Sequence, residues 1–244
     1  MEKLLNELVE RLKQAAGPNL LSVVLYGSAA SKQFHPRHSD LNVLAVMSSL
    51  GASALDTLAP VASWWQKKGH PGPMVFTREE LVRCSDMFAI ELLDIKMTGR
   101  LLWGEEIFAS LEVPMQLHRI QVEREIAQGL VKLRQHYLSA GGSGRAVRQL
   151  MLASVSTFAA LFRHALLALG EPLIQDRLSG IDRLAALIGF DPGAFHTLLD
   201  LRAGRRGAGE IDWAATFAAY LAAIEHVAGE IDRRFAEAVK PAQA

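Results

Sequence analysis

Leu25-Tyr26-Gly27-Ser28, followed by Ser39-Asp40-Leu41-Asn42-Val43-Leu44-Ala45-Val46, is the stretch whose reading decides the fold. The apolar run Leu20 to Tyr26 reads as a strand that stops at a Gly-Ser turn. The second piece reads as another apolar strand, with Asp40 and Asn42 at alternate positions. Side chains two apart on a strand share a face. Asp40 and Asn42 therefore point the same way, beside the Gly-Ser turn.

Outward from this pair, the N-terminal third alternates helix and strand. Leu4, Leu5, Leu8, Val9 and Leu12 recur at helical spacing, so residues 2–16 form an amphipathic helix closed by Gly17-Pro18. A short helix or turn, 29–32, leads into the polar loop Gln33-Phe34-His35-Pro36-Arg37-His38. The second strand spans 41–47, and a helix with a Trp64-Trp65 pair spans 55–68. Met74-Val75-Phe76 is a third strand candidate. Thr77 followed by Glu80 is an N-cap that starts another helix. Residues 90–95 are ambiguous between strand and helix, and Gly104 closes the region.

From Met115 onward the pattern is helical: 115–138, 145–169, 178–189, 193–202 and 211–237. Glycine-rich segments at 141–144 and 204–207 separate them. The expected fold class is α+β, a small mixed-sheet domain over 1–112 followed by an all-α helical bundle over 113–240. The tail after Lys240 is expected to fray.

The Gly27-Ser28 turn with Asp40 and position 42 resembles the core motif of the nucleotidyltransferase superfamily, which includes polymerase beta and the aminoglycoside nucleotidyltransferases. The order of a small mixed sheet and then helices is similar to the aminoglycoside enzymes. The resemblance implies transfer of a nucleoside monophosphate from a nucleoside triphosphate to a hydroxyl of a small molecule or protein. It also implies a strand with two acids, at Asp40 and position 42, which bind Mg²⁺. Here position 42 is Asn42, a departure from the pattern.

The chemistry explains why those residue types matter. Nucleotidyl transfer is an in-line displacement at a phosphorus whose charge repels the incoming oxygen. Divalent metal neutralises that charge and orients both oxygens. Mg²⁺ prefers carboxylates, phosphate oxygens and water. Gly27 lets the backbone approach a phosphate with no Cβ in the way. Ser28 offers a hydroxyl and an N–H, and a helix starting near Ala29 would aim its N-terminus at the same anion. Asp40 is the metal candidate, or else a turn residue bonded to its own backbone. Asn42 reads either as the relic of a carboxylate site or as an amide bonded to a neighbouring strand, the latter being the commoner fate. Replacing a charge by a dipole removes about 2 kcal/mol or more of attraction to a nearby cation.

A third acid is missing from Met74-Val75-Phe76. The nearest are Glu91 and Asp94, the speculative general base. On a helix these would share a face; on a strand they would face opposite ways. Their alternative fate is ion pairing with Lys96, Arg100 or arginines of the helical half. Arg37 and His38 read as phosphate contacts or as a solvated loop.

Composition bounds the rest. Lys+Arg and Asp+Glu are 26 each, so nothing favours general nucleic-acid binding. The one cysteine, Cys84, excludes a disulfide framework or a site of several thiolates. No long uncharged apolar run predicts a membrane span, and the N-terminus lacks a signal-like apolar core, so the cytoplasm is the expected location. Two functions follow: an Mg²⁺-dependent nucleotidyltransferase, or a catalytically degraded relative that binds a nucleotide or a protein partner.

Overall fold

The computed structural model describes residues 1–30, 40–172, 174–205, 207, 209 and 211–239. The loop carrying Phe34, His35, Arg37 and His38, Ser39, the proposed helical residues 31–32 and the tail from Lys240 lie outside the described residues. The chain divides into two compact units, Met1–Pro114 and Met115–Ala244.

The first unit is built on a four-stranded sheet of β1 (Leu20–Tyr26), β2 (Asn42–Met47), β3 (Met74–Thr77) and β4 (Arg100–Gly104), in the order β3-β2-β1-β4. β1 runs antiparallel to β2 and to β4, and β2 runs parallel to β3. The sheet is therefore mixed. Both faces are covered, which is why β1 and β2 read as nearly continuous apolar runs. Val23, Leu25, Val43, Ala45 and Met47 pack with Leu5, Leu8 and Leu12 of α1 (Glu2–Ala16) and Val61 and Trp65 of α2 (Ala52–Lys67). Val24, Leu44 and Val46 pack on the other face with Leu81 of α3 (Arg78–Arg83) and Leu92 and Ile95 of α4 (Ala89–Thr98). The parity of the strands thus sorts residues between two cores.

Two open local readings are resolved and one strand is added. Residues 90–95 lie in helix α4, since Ala89, Leu92 and Ile95 turn one apolar side to the sheet. β4 was not legible: it is a half-buried edge strand without a β-branched residue. Of the short helix or turn expected from Ala29, the described part is a turn, the 3₁₀ segment Gly27–Ala29. At Thr77 the capping box forms as the sequence predicts: Thr77 Oγ1 accepts the Glu80 N–H, and the Glu80 carboxylate accepts the Thr77 N–H.

The second unit contains α5 (Met115–Ser139), α6 (Gly144–Ala168), α7 (Arg177–Ile188), α8 (Gly193–Arg202) and α9 (Trp213–Val239). α6 is long and apolar enough to cross a membrane by length and composition. Its apolar residues nevertheless form the core of this unit. Phe158 and Phe162 are buried against Phe195 of α8 and Tyr220 of α9. Two fully buried histidines bridge helices, with His118 Nε2 on α5 and His164 Nδ1 on α6 only 3.0 Å apart.

Glu123 on α5 and Asp232 on α9 form a like-charged pair. Partial burial, then the Asp232 charge and a hydrogen bond to it, raise the Glu123 carboxyl above its ordinary value. A raised carboxyl contributes stability below the unfolded-state value, and that contribution is lost as pH rises through the folded value. Asp232→Asn is therefore expected to raise the melting temperature slightly at pH 7 and not at pH 4. An equal shift at both pH values would contradict this origin.

Candidate functional site

The candidate site gathers where β1 ends and β2 begins. In the antiparallel register Tyr26 faces Asn42. β1 then breaks into the Gly27–Ala29 turn because Gly27 adopts φ +73, a left-handed conformation that other residues enter at about 1–2 kcal/mol. A Cβ on Gly27 would lie 3.2 Å from Asn42 Nδ2. The backbone of the turn and the Asn42 amide are thus near neighbours, with an opening that only glycine leaves.

The expected strand starts one residue early. Asn42, half-buried, is the first residue of β2, and Asp40 lies before the ladder and is exposed. Leu41 is buried between them. The Leu41 N–H donates to His70 Nδ1 at 3.4 Å. The His70 ring rests on the buried Trp65, with centroids 4.7 Å apart. Burial lowers the His70 pKa and the Asp40 charge opposes that shift, which sets the Asp40 carboxylate near the ring. His70 was not singled out among the sequence candidates, because it stands alone in a Gly-rich break after α2.

Asn42 and Tyr26 fall on the same sheet face as Val24 and Leu44, the face covered by α4. α4 carries Glu91, exposed, and Asp94, half-buried. They are three residues apart on a helix, so they share a side. Burial first, and then the Glu91 charge, raise the Tyr26 phenol, so Glu91 lies toward Tyr26. The Tyr26 hydroxyl donates to Met74 Sδ at 2.8 Å. Lys96, on the same helix, donates to the Leu111 carbonyl at 2.8 Å, and Arg100 pairs with Glu2 at 3.1 Å.

The alternative reading of Asn42, an amide bonded to a neighbouring strand, finds no support, since no hydrogen bond joins its side chain to another described residue. The Ser28 side chain lies outside what the structure describes; its backbone belongs to the turn.

Among the described residues no three His, Cys, Asp or Glu side chains converge as a metal site. Among the described residues, the side-chain oxygen donors at the start of β2 are the Asp40 carboxylate and the Asn42 amide. That set does not fit a pair of Mg²⁺ ions bridged by protein carboxylates. It fits one Mg²⁺ that takes a single carboxylate and fills its octahedron with phosphate oxygens and water.

Gly27→Ala tests the opening. The φ cost and the contact with the Asn42 amide are expected to lower stability by about 1–2 kcal/mol. Calorimetry measures that loss, and an unchanged melting temperature would contradict it.

No protein-family pattern matches the chain, and no curated protein matches it in sequence. Among solved structures it matches a spectinomycin adenyltransferase from Enterococcus faecialis, determined with ATP and spectinomycin. The match covers 94% of this chain and 99% of that one, with a TM-score of 0.58 and 12% identity. At that identity the likeness is one of fold. This protein has the α+β fold of that adenyltransferase: a mixed sheet with its helices, followed by an all-helical region.

Proposed function

We propose that this protein binds a nucleoside triphosphate at the Gly27 turn and transfers its nucleoside monophosphate to a hydroxyl of a small molecule. The observation that carries this reading is the strand end itself. A glycine at φ +73 opens the backbone, the Asn42 amide borders the opening, and Asp40 stands two residues away. That arrangement occurs in a fold shared with an enzyme solved with ATP and a small-molecule acceptor.

Each group has a role its chemistry permits. The Gly27 turn brings main chain close to a phosphate without steric hindrance. A single Mg²⁺ arriving with the nucleotide would be held by Asp40 and would supply neutralisation of the triphosphate charge. Glu91 or Asp94, on the helix that covers this sheet face, would accept the proton of the attacking hydroxyl.

A second reading is a protein that binds the nucleotide and no longer transfers it. Asn42 favours it, because the strand supplies one charge fewer than the resembling enzymes use. The two separate by incubating the protein with nucleoside triphosphates, Mg²⁺ and a panel of small hydroxyl acceptors. Pyrophosphate release that falls by at least about a hundredfold in Asp40→Ala is expected for transfer. Triphosphate binding without pyrophosphate release, in both the native chain and Asn42→Asp, would sink the transfer reading and leave the binding one.

A further inference from the structure

The resembling enzymes use position 42 as a metal-binding acid; the geometry here suits a different task. Register pairs Asn42 with Tyr26, and this sets the amide beside Gly27. Asn42 Nδ2 is the atom 3.2 Å from the point a Gly27 Cβ would occupy. The NH₂ end of the amide, not its carbonyl, therefore borders the opening in the backbone. No described residue accepts a hydrogen bond from it.

The two ends of an amide recognise opposite ligands. Its oxygen accepts and can meet a cation; its nitrogen offers two donors and meets an anion. A carboxylate offers acceptors alone. Mg²⁺ needs oxygen ligands, whereas a phosphate oxygen needs donors, and a hydrogen bond to a charged acceptor is among the stronger kind. The end of Asn42 that faces the opening is the wrong end for a metal and the right end for a phosphate. The charge balance points the same way. Two acids beside a triphosphate repel it unless metal lies between them. Asp40 with Asn42 leaves one repelling charge and adds one attracting donor.

We propose that Asn42 is a phosphate-binding residue: its Nδ2 donates to an oxygen of the triphosphate in the Gly27 opening, and position 42 holds no metal. This inference rests on the nucleotide-binding reading above. It makes the strand end a site of mixed character, with the metal on Asp40 alone and the phosphate on a neutral donor. Divalent metal then strengthens binding without being indispensable to it.

The test is calorimetric titration of ATP into the full chain, in excess Mg²⁺ and in EDTA, for the native protein, Asn42→Ala and Asn42→Asp. Thermal melts accompany each variant to establish folding. A lost donor to phosphate weakens binding by about ten- to hundredfold, by similar factors in both buffers. Asn42→Ala is expected to behave so. Asn42→Asp is expected to bind more weakly than Asn42→Ala in EDTA and to recover in Mg²⁺. A loss in Asn42→Ala confined to Mg²⁺ would make Asn42 a metal ligand and overturn the proposal, as would native-strength binding of Asn42→Asp in EDTA. Those results leave nucleotide binding standing. Failure of the native chain to bind ATP in either buffer overturns the functional reading, and this inference with it.

Discussion

Trp65→Ala is expected to lower the stability of the N-terminal unit by about 3–5 kcal/mol, the range for deleting a fully buried large aromatic. Trp65 is completely buried on α2, packed with the β1 and β2 residues of that sheet face. Calorimetry of the full chain measures the loss as a lowered transition. Trp64→Ala is the control. Trp64 is half-buried, with the Arg11 guanidinium 4.3 Å and the Lys68 Nζ 6.0 Å from its ring centre, so its removal costs two exposed cation–π contacts and part of a packing surface, roughly 1 kcal/mol. The contrast has a functional side. Trp65 carries the His70 ring, and His70 accepts the Leu41 N–H next to Asp40. Trp65→Ala therefore loosens the start of β2 as well as the core. Equal costs for the two tryptophans would overturn the division between core and cover.

Gly104→Ala is expected to destabilise the same unit by about 3–4 kcal/mol, from two independent causes. Gly104 ends β4 at φ +88, where an L side chain is strained. A Cβ there would also fall inside the Leu21 carbonyl oxygen and 2.9 Å from its carbon. Those atoms are main chain of β1 and have no rotamer to move. The same carbonyl accepts the Glu105 N–H at 3.0 Å, and the buried Ser22 hydroxyl donates to the Glu105 carbonyl at 2.8 Å. Displacing β4 breaks both bonds. A melting temperature lowered by at least about 10 °C is the expected result. Gly69→Ala, also at positive φ (+88) but with no atom near its Cβ position, isolates the backbone term and should cost about half as much. If the two substitutions cost the same, the contact with Leu21 contributes nothing.

Much of the fold was legible because periodicity and punctuation agree over long stretches. α5 to α9 follow apolar stripes, and the glycine-rich segments 141–144 and 204–207 mark two of the breaks between them. β1 and β2 read as strands because they are buried on both faces. α4 and β4 were harder for a shared reason. A short apolar run carries no period of its own, and what settles it is the surface it lies on: the sheet for Leu92 and Ile95, the edge of β1 for Arg100 to Gly104.

The site divides the same way. From the sequence alone came the identities that matter: a glycine at the end of β1, one acid at Asp40, and an amide where a second acid was expected. These are facts of covalent chemistry and need no coordinates. Which end of the amide meets the opening, that Glu91 and Asp94 lie on a helix, and that His70 sits beside Asp40 came only with the tertiary structure. Each depends on strand register or on packing between segments far apart in the chain. A register is a sum over many pairings, so no single residue along the sequence announces it.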